Sequence, residues 1–153
     1  MSKKSAKIAA LIERCQGRAL DAHYLGYFEC FNKGLFYEAH DVLEELWLAD
    51  RNGADGDFFK GLIQFAGGFV HLQKHSAIRP RLRPAAALLK LARANLGKYP
   101  VHHQHLDVRG VIAVIDQWLE DLEAAGFVRN PLLARAAPRL ELQIPSRPPP
   151  DLS

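Results

Sequence analysis

The residues of this sequence best suited to chemistry include His40 and Glu44, which are four residues apart. That spacing puts both side chains on one face of a helix, and Trp47 follows one turn later on the same face. An imidazole nitrogen and a carboxylate oxygen are both ligands that zinc or iron accepts. The pair therefore offers two preformed metal ligands, and a complete site needs at least one more from elsewhere in the fold.

His71 is the candidate third ligand. It ends a stripe of polar and small residues, with Gln64 and Gly68, on an otherwise apolar segment of helical period. Two sequential helices joined by a short turn are expected to be antiparallel, so that the end of the second lies beside the start of the first. This arrangement predicts that His71 approaches His40.

The same residue types also fit a purely structural role. A histidine and a glutamate at this spacing can hydrogen-bond one another, which satisfies two half-buried polar groups without any ligand. Trp47 is then a core residue, and Gln64 caps a neighbouring group. Two interpretations therefore stay open, a small-ligand or metal site and a buried hydrogen-bond network in a non-enzymatic interaction module.

The elements that would position these residues are helices, because apolar residues recur with helical period nearly everywhere and no stretch alternates strictly. We expect an all-α, compact up-and-down bundle of five or six helices. The helices are predicted at about 8–17, 18–33, 35–49, 57–75, 84–97 and 107–125. Gly34 and Gly126 are the predicted stops of the second and the last of them.

Proline marks the predicted non-helical segments. The run from Arg79 to Pro84 is predicted to be a linker, with Pro84 suited to the first turn of the following helix. Further prolines predict an extended tail over residues 131–153, after a single helical domain over residues 5–130. Leu140, Leu142 and Ile144 give this tail the means to pack on the bundle or on a second copy.

Length and composition limit the classes of protein to be considered. The chain has 153 residues, of which 48% are hydrophobic and 24% charged, as expected for one globular domain. No apolar run approaches the roughly 20 residues that cross a bilayer, and no secretory signal is evident. We therefore expect a cytoplasmic protein with no membrane partner.

Charge is divided along the chain. Residues 38–57 hold seven acids and one base, whereas residues 58–106 hold eight Lys and Arg residues and no acid. Such a division can steer anionic partners or bring two subunits together, so a homo-oligomer is compatible with it. Since no aromatic residue occurs between Val70 and Leu96 to stack on bases, we expect no specific nucleic-acid partner.

The run from Phe31 to Trp47 resembles the signature of domain-of-unknown-function family three hundred and nine, a prokaryotic group of small all-helical proteins. The family pattern is approximately F-N-x-G-x-[FY]-[FY]-E-A-H-[DE]-x-x-E-x-x-W, and the resemblance extends over residues 24–100. It implies an all-helical fold and a site where the second, third and fourth predicted helices meet. The positions that match the pattern are Glu38, His40, Glu44, Trp47, Gln64 and His71.

The resemblance implies no particular reaction, and metal-dependent hydrolysis is one chemistry that the residues allow. His40, Glu44 and His71 would then hold a divalent metal such as zinc, and Glu38 or Glu44 would act as base. Trp47 and Gln64 would contact a small-molecule ligand.

Overall fold

The computed structural model describes residues 20–143 together with Ala6 and Ala9, and the regular secondary structure of this part of the chain is helical apart from one short hairpin. Its five α-helices are α1 (Ala22–Asn32), α2 (Phe36–Asp50), α3 (Gly56–Lys74), α4 (Leu82–Leu96) and α5 (Val108–Ala124). A 3-10 helix, Pro131–Leu133, follows α5. The all-α class is confirmed. The short helix predicted near residues 8–17 lies outside the described residues except for Ala9, which is helical.

Side-chain caps and glycines set the helix ends. Asp21 accepts a hydrogen bond from the His23 amide at 2.7 Å, so α1 begins at Ala22 and not near residue 18 as predicted. Asp107 caps α5 in the same way, through the Gly110 amide at 2.9 Å. Gly34 ends the turn after α1 as predicted. Its φ of +76° is strained for residues with a side chain, which is why glycine suits this position.

The linker between α3 and α4 ends earlier than predicted. α4 begins at Leu82, so the prediction of a linker up to Pro84 is wrong for its last three residues. Pro84 is the third residue of α4, and the amide that proline lacks is one of the first four in a helix, which have no intrahelical partner. The linker comprises residues 75–81, where the Arg81 amide donates to His75 Nδ1 at 2.9 Å.

A two-stranded hairpin between α4 and α5 was not predicted. Its strands β1 (His102–His103) and β2 (Leu106–Asp107) pair antiparallel. The turn holds Gln104 and His105 at φ 50° and 61°, the left-handed values that two-residue hairpin turns require. Strands of two residues are too short to show a period, so the pattern of apolar residues could not indicate them.

Successive helices are antiparallel and enclose an aromatic core. Phe36 near the start of α2 packs on Phe69 near the end of α3, with ring centroids 5.3 Å apart. Gly61 near the start of α3 faces Leu96 at the end of α4. Phe69 also packs edge-on against Trp118 of α5. The predicted up-and-down order is therefore observed. Among the described residues, no helix is both long and apolar enough to cross a membrane.

The chain after the 3-10 helix returns to the bundle. Leu140 is buried, and Asn32 at the end of α1 binds its backbone twice. Asn32 Nδ2 donates to the Leu140 carbonyl at 2.7 Å, and the Leu140 amide donates to Asn32 Oδ1 at 2.8 Å. Leu142 is half-buried against the core, whereas Ile144 lies outside the described residues. Up to residue 143 the tail thus packs on its own chain.

Candidate functional site

α2 presents a group of three potential metal ligands, His40, Asp41 and Glu44. One ligand atom of each lies within 4.8 Å of the others, and all three residues are half-buried. His40 Nδ1 is 3.2 Å from Asp41 Oδ1 and 3.7 Å from Glu44 Oε2. The ring of Tyr37, one turn earlier, is nearly parallel to the His40 ring, with an angle of 16° between their planes. Within the described part of the chain, this is the one group of its kind.

A cavity of about 360 Å³ lies between α2 and α3 and is bounded by Leu88 of α4. His40 lines it, so the ligand group and the cavity are contiguous. The sequence predicted five metal or ligand contacts on these two helices, and all of them except Glu44 line the cavity. They are His40, Trp47, Gln64 and His71. The remaining lining residues are Tyr37, Lys60, Ile63, Gly67, Val70 and Leu88.

His71 is the electrostatically unusual residue of this cavity. Its Nδ1 atom is buried and has no hydrogen-bond partner among the described residues. Burial lowers the pKa of His71, and the positive charges of Arg81 and Lys74 lower it further. The imidazole is therefore neutral at neutral pH, which is the form that accepts a hydrogen bond or binds a metal.

Gln64 is held in place by α4. Its Oε1 accepts a hydrogen bond from Asn95 Nδ2 at 2.7 Å. This contact agrees with the structural interpretation of Gln64, in which the amide caps a neighbour, and it fixes the orientation of the side chain at the cavity wall. Trp47 is half-buried in the same wall, and Lys60 is exposed at its edge.

Not every predicted site residue joins the group on α2. Glu38 is half-buried and belongs neither to the group of three ligands nor to the cavity lining. His71 lines the cavity but is outside the group, so its role as a metal ligand stays a prediction. Asp41 was not predicted as a ligand, because neighbouring helical residues usually point in different directions.

Of the lining residues that were not predicted, Tyr37 and Lys60 carry polar groups, and the sequence holds a signal for both. Lys60, Gln64, Gly67 and His71 recur at the spacing of one helix face. Lys60 could have been found from that repeat. Tyr37 precedes His40 by three residues and shares its face of α2.

The arrangement of His40 limits the structural interpretation. Its Nδ1 to Glu44 distance of 3.7 Å is too long for a hydrogen bond, and the closer contact is to Asp41. The His–Glu hydrogen bond on which that interpretation depends is thus replaced by a His–Asp contact between neighbours. One nitrogen and two carboxylate groups then lie together beside a cavity that His40 lines, and they form a donor set suited to a divalent cation.

Comparison with known proteins identifies one family. Residues 24–79 match the family described as Domain of unknown function (DUF309). The match covers less than half of the chain but contains most of α1 and all of α2 and α3, and with them all three ligands and the cavity residues of α2 and α3. The resemblance seen in the run from Phe31 to Trp47 is thereby confirmed. No curated protein and no solved structure matches the chain.

Proposed function

We propose that the protein binds a small molecule in the cavity between α2 and α3, together with a divalent metal such as zinc held by His40, Asp41 and Glu44. The observation that supports this most directly is that His40 belongs both to the ligand group and to the cavity lining. A metal bound there would lie within reach of a molecule in the cavity.

The spacing of the donor atoms fits such a metal. Two ligands bound at about 2.1 Å in a tetrahedral site are about 3.4 Å apart. The observed separations from His40 Nδ1, 3.2 Å to Asp41 and 3.7 Å to Glu44, lie on either side of that value. Three protein ligands leave a fourth position open to water or ligand, which is the pattern of catalytic and not of closed structural zinc sites.

The cavity lining indicates the kind of molecule. Its volume is at the lower end of the range for small-molecule sites, about 300–1,000 Å³, which favours a compact ligand. Trp47, Ile63 and Val70 supply apolar wall, so the body of the ligand is apolar. His71 supplies a neutral imidazole and Lys60 a positive charge for polar substituents of the ligand.

Metal-dependent hydrolysis is the finer form of the proposal. When bound, the metal would polarise a carbonyl or phosphoryl group of the ligand. Glu44 belongs to the ligand group, and Glu38 lies on the same helix outside it, so the structure supports Glu44 more than Glu38 beside the reacting group. Hydrolysis of small esters or phosphoesters is therefore the activity to assay with the metal-loaded protein.

The competing proposal is a non-enzymatic helical module whose polar residues form a buried network. The hydrogen bond between Gln64 and Asn95 favours it. The His71 Nδ1 atom argues against it, because a self-sufficient network would satisfy that buried nitrogen, and no described group does.

Elemental analysis of native protein distinguishes the two. The metal site predicts a divalent transition metal in a ratio near one per chain, lost in His40→Ala and retained in His102→Ala, which alters an exposed histidine of β1. Absence of stoichiometric metal from the wild-type protein, together with no uptake after incubation with zinc or manganese, would contradict the proposal.

A further inference from the structure

A second and larger concavity lies where α5, the turn after it and the 3-10 helix meet the linker. It has a volume of about 650 Å³. Its apolar lining includes Val128 and Leu133, which are 76% and 87% exposed within the described part of the chain. The polar and charged residues of the lining are His75, Asp121, Arg129, Asn130 and Arg135. Large aliphatic side chains so exposed around one groove are typical of a binding surface.

The rim of this α5 groove is basic. Arg129 and Arg135 line it, and the one acid of the lining, Asp121, pairs with Arg135 Nη2 at 2.7 Å, so that Arg129 supplies the net positive charge of the lining. The adjoining linker brings further arginines and Ile78, which is 91% exposed, and it contributes no acid. The groove therefore favours a partner with aliphatic or aromatic side chains flanked by carboxylates.

α2 carries a surface with that chemistry. Tyr37, Asp41, Glu44 and Leu48 recur at helical spacing and form one stripe, which we call the α2 stripe. Tyr37 and Leu48 at its ends are 55% and 52% exposed, and the two acids lie between them. The stripe spans 11 residue steps, or about 16 Å of helix.

We propose that the α2 stripe of one copy binds the α5 groove of another. Tyr37 and Leu48 would meet the apolar lining, and the two carboxylates would meet the basic rim. Such a contact joins two different surfaces, so it is head-to-tail and extends to further copies unless a ring closes. Complementary charges would speed association and make it dependent on salt.

This inference goes beyond the proposed function and does not depend on it. Asp41 and Glu44 belong to both the α2 stripe and the proposed metal site, so association is measured in EDTA. Failure of the metal proposal then leaves the association result intact, and the reverse also holds.

Sedimentation equilibrium of the full chain tests the proposal. At low salt the mean mass of the wild-type protein should rise above 17.1 kDa with concentration, and high salt should return it to the mass of one chain. Leu133→Asp places a negative charge in the α5 groove, and Leu48→Arg places a positive charge at the end of the α2 stripe. Each should weaken association about tenfold or more. Leu91→Asp on α4 is the matched control, because Leu91 is 51% exposed and belongs to neither surface.

Mixing the two disabled variants gives the decisive result. Leu133→Asp keeps an intact stripe and Leu48→Arg keeps an intact groove, so together they should form a dimer that grows no further. Circular dichroism confirms that each variant is folded. A wild-type protein with the mass of one chain at every concentration would overturn the proposal. So would a mixture without dimer, or a Leu91→Asp variant that associates as poorly as the other two.

Discussion

Replacing Gly68 by alanine measures how closely α3 and α4 approach one another. A Cβ atom on Gly68 would lie 2.8 Å from Leu89 Cδ2 and 3.0 Å from Leu89 Cγ. Leu89 is fully buried and cannot move aside without disturbing the core. Gly67 is the matched control on the same helix. A Cβ atom there would meet Leu88 Cδ1 at 3.0 Å, and Leu88 is half-buried at the cavity wall, where it has room to turn.

Two opposing effects decide the outcome. Alanine in place of glycine inside a helix gains about 1 kcal/mol in both variants. Overpacking a rigid core costs about 1–3 kcal/mol, and only Gly68→Ala should incur it in full. We therefore expect Gly67→Ala to be neutral or up to about 1 kcal/mol more stable than the wild type. Gly68→Ala should lie about 1–3 kcal/mol below Gly67→Ala.

Chemical denaturation followed by helical circular dichroism measures this difference. For a chain of this length, 1 kcal/mol corresponds to about 2–4 °C in Tm. Thermal unfolding should therefore also rank Gly67→Ala above Gly68→Ala in stability. Equal denaturant slopes in the two variants would show that the unfolded states are comparable. A Gly68→Ala variant as stable as Gly67→Ala would refute the inference that Leu89 is held rigidly against α3.

Two further predictions concern polar contacts of residues that do not line the cavity. Asn32→Ala removes both hydrogen bonds to the Leu140 backbone and should destabilise the fold by about 1–3 kcal/mol, with faster amide exchange at Leu140; unchanged exchange there would contradict it. Asp55 is partly desolvated, which opposes its ionisation, but hydrogen bonds from Gln104 and His103 and the charge of His103 outweigh this and lower the pKa of Asp55. The unfolded chain then binds more protons, so this carboxylate stabilises the fold above about pH 4, and that contribution is lost as the pH falls through the lowered pKa. Asp55→Asn should be less stable at neutral pH and lose less stability on acidification, and a wild-type acid-unfolding profile would contradict this.

Most of the fold could be predicted from the sequence because its helices are long and periodic. Gly34 and Gly126 were informative since a positive φ strongly favours glycine, and both residues adopt it. The errors arose where the backbone conformation of single residues, and not the helical period of the apolar residues, decides the structure. Pro84 suggested that the linker ends later than it does, although a helix tolerates proline in its first turn. Gln104 carries a positive φ without being glycine, so nothing in the sequence marked the hairpin turn.

The candidate site could be predicted only in part. The spacing of His40 and Glu44 placed both on one helix face, and antiparallel packing placed His71 at the same cavity. Asp41 could not be identified, because whether two neighbouring helical side chains converge depends on their rotamers. Glu38 matched the family pattern, yet it lies outside the cavity lining and its role as a base stays a prediction.

Thermal unfolding of the metal-stripped protein at rising zinc concentration tests the central claim most directly. A ligand that binds the folded state alone adds about 2.7 kcal/mol of stability at a hundred times its Kd. We predict that the Tm of the wild-type protein and of the His102→Ala control rises steadily with zinc, while the Tm of His40→Ala stays level. A wild-type Tm that does not respond to zinc, or a His40→Ala variant that responds as the wild type does, would contradict the claim that His40, Asp41 and Glu44 bind a metal.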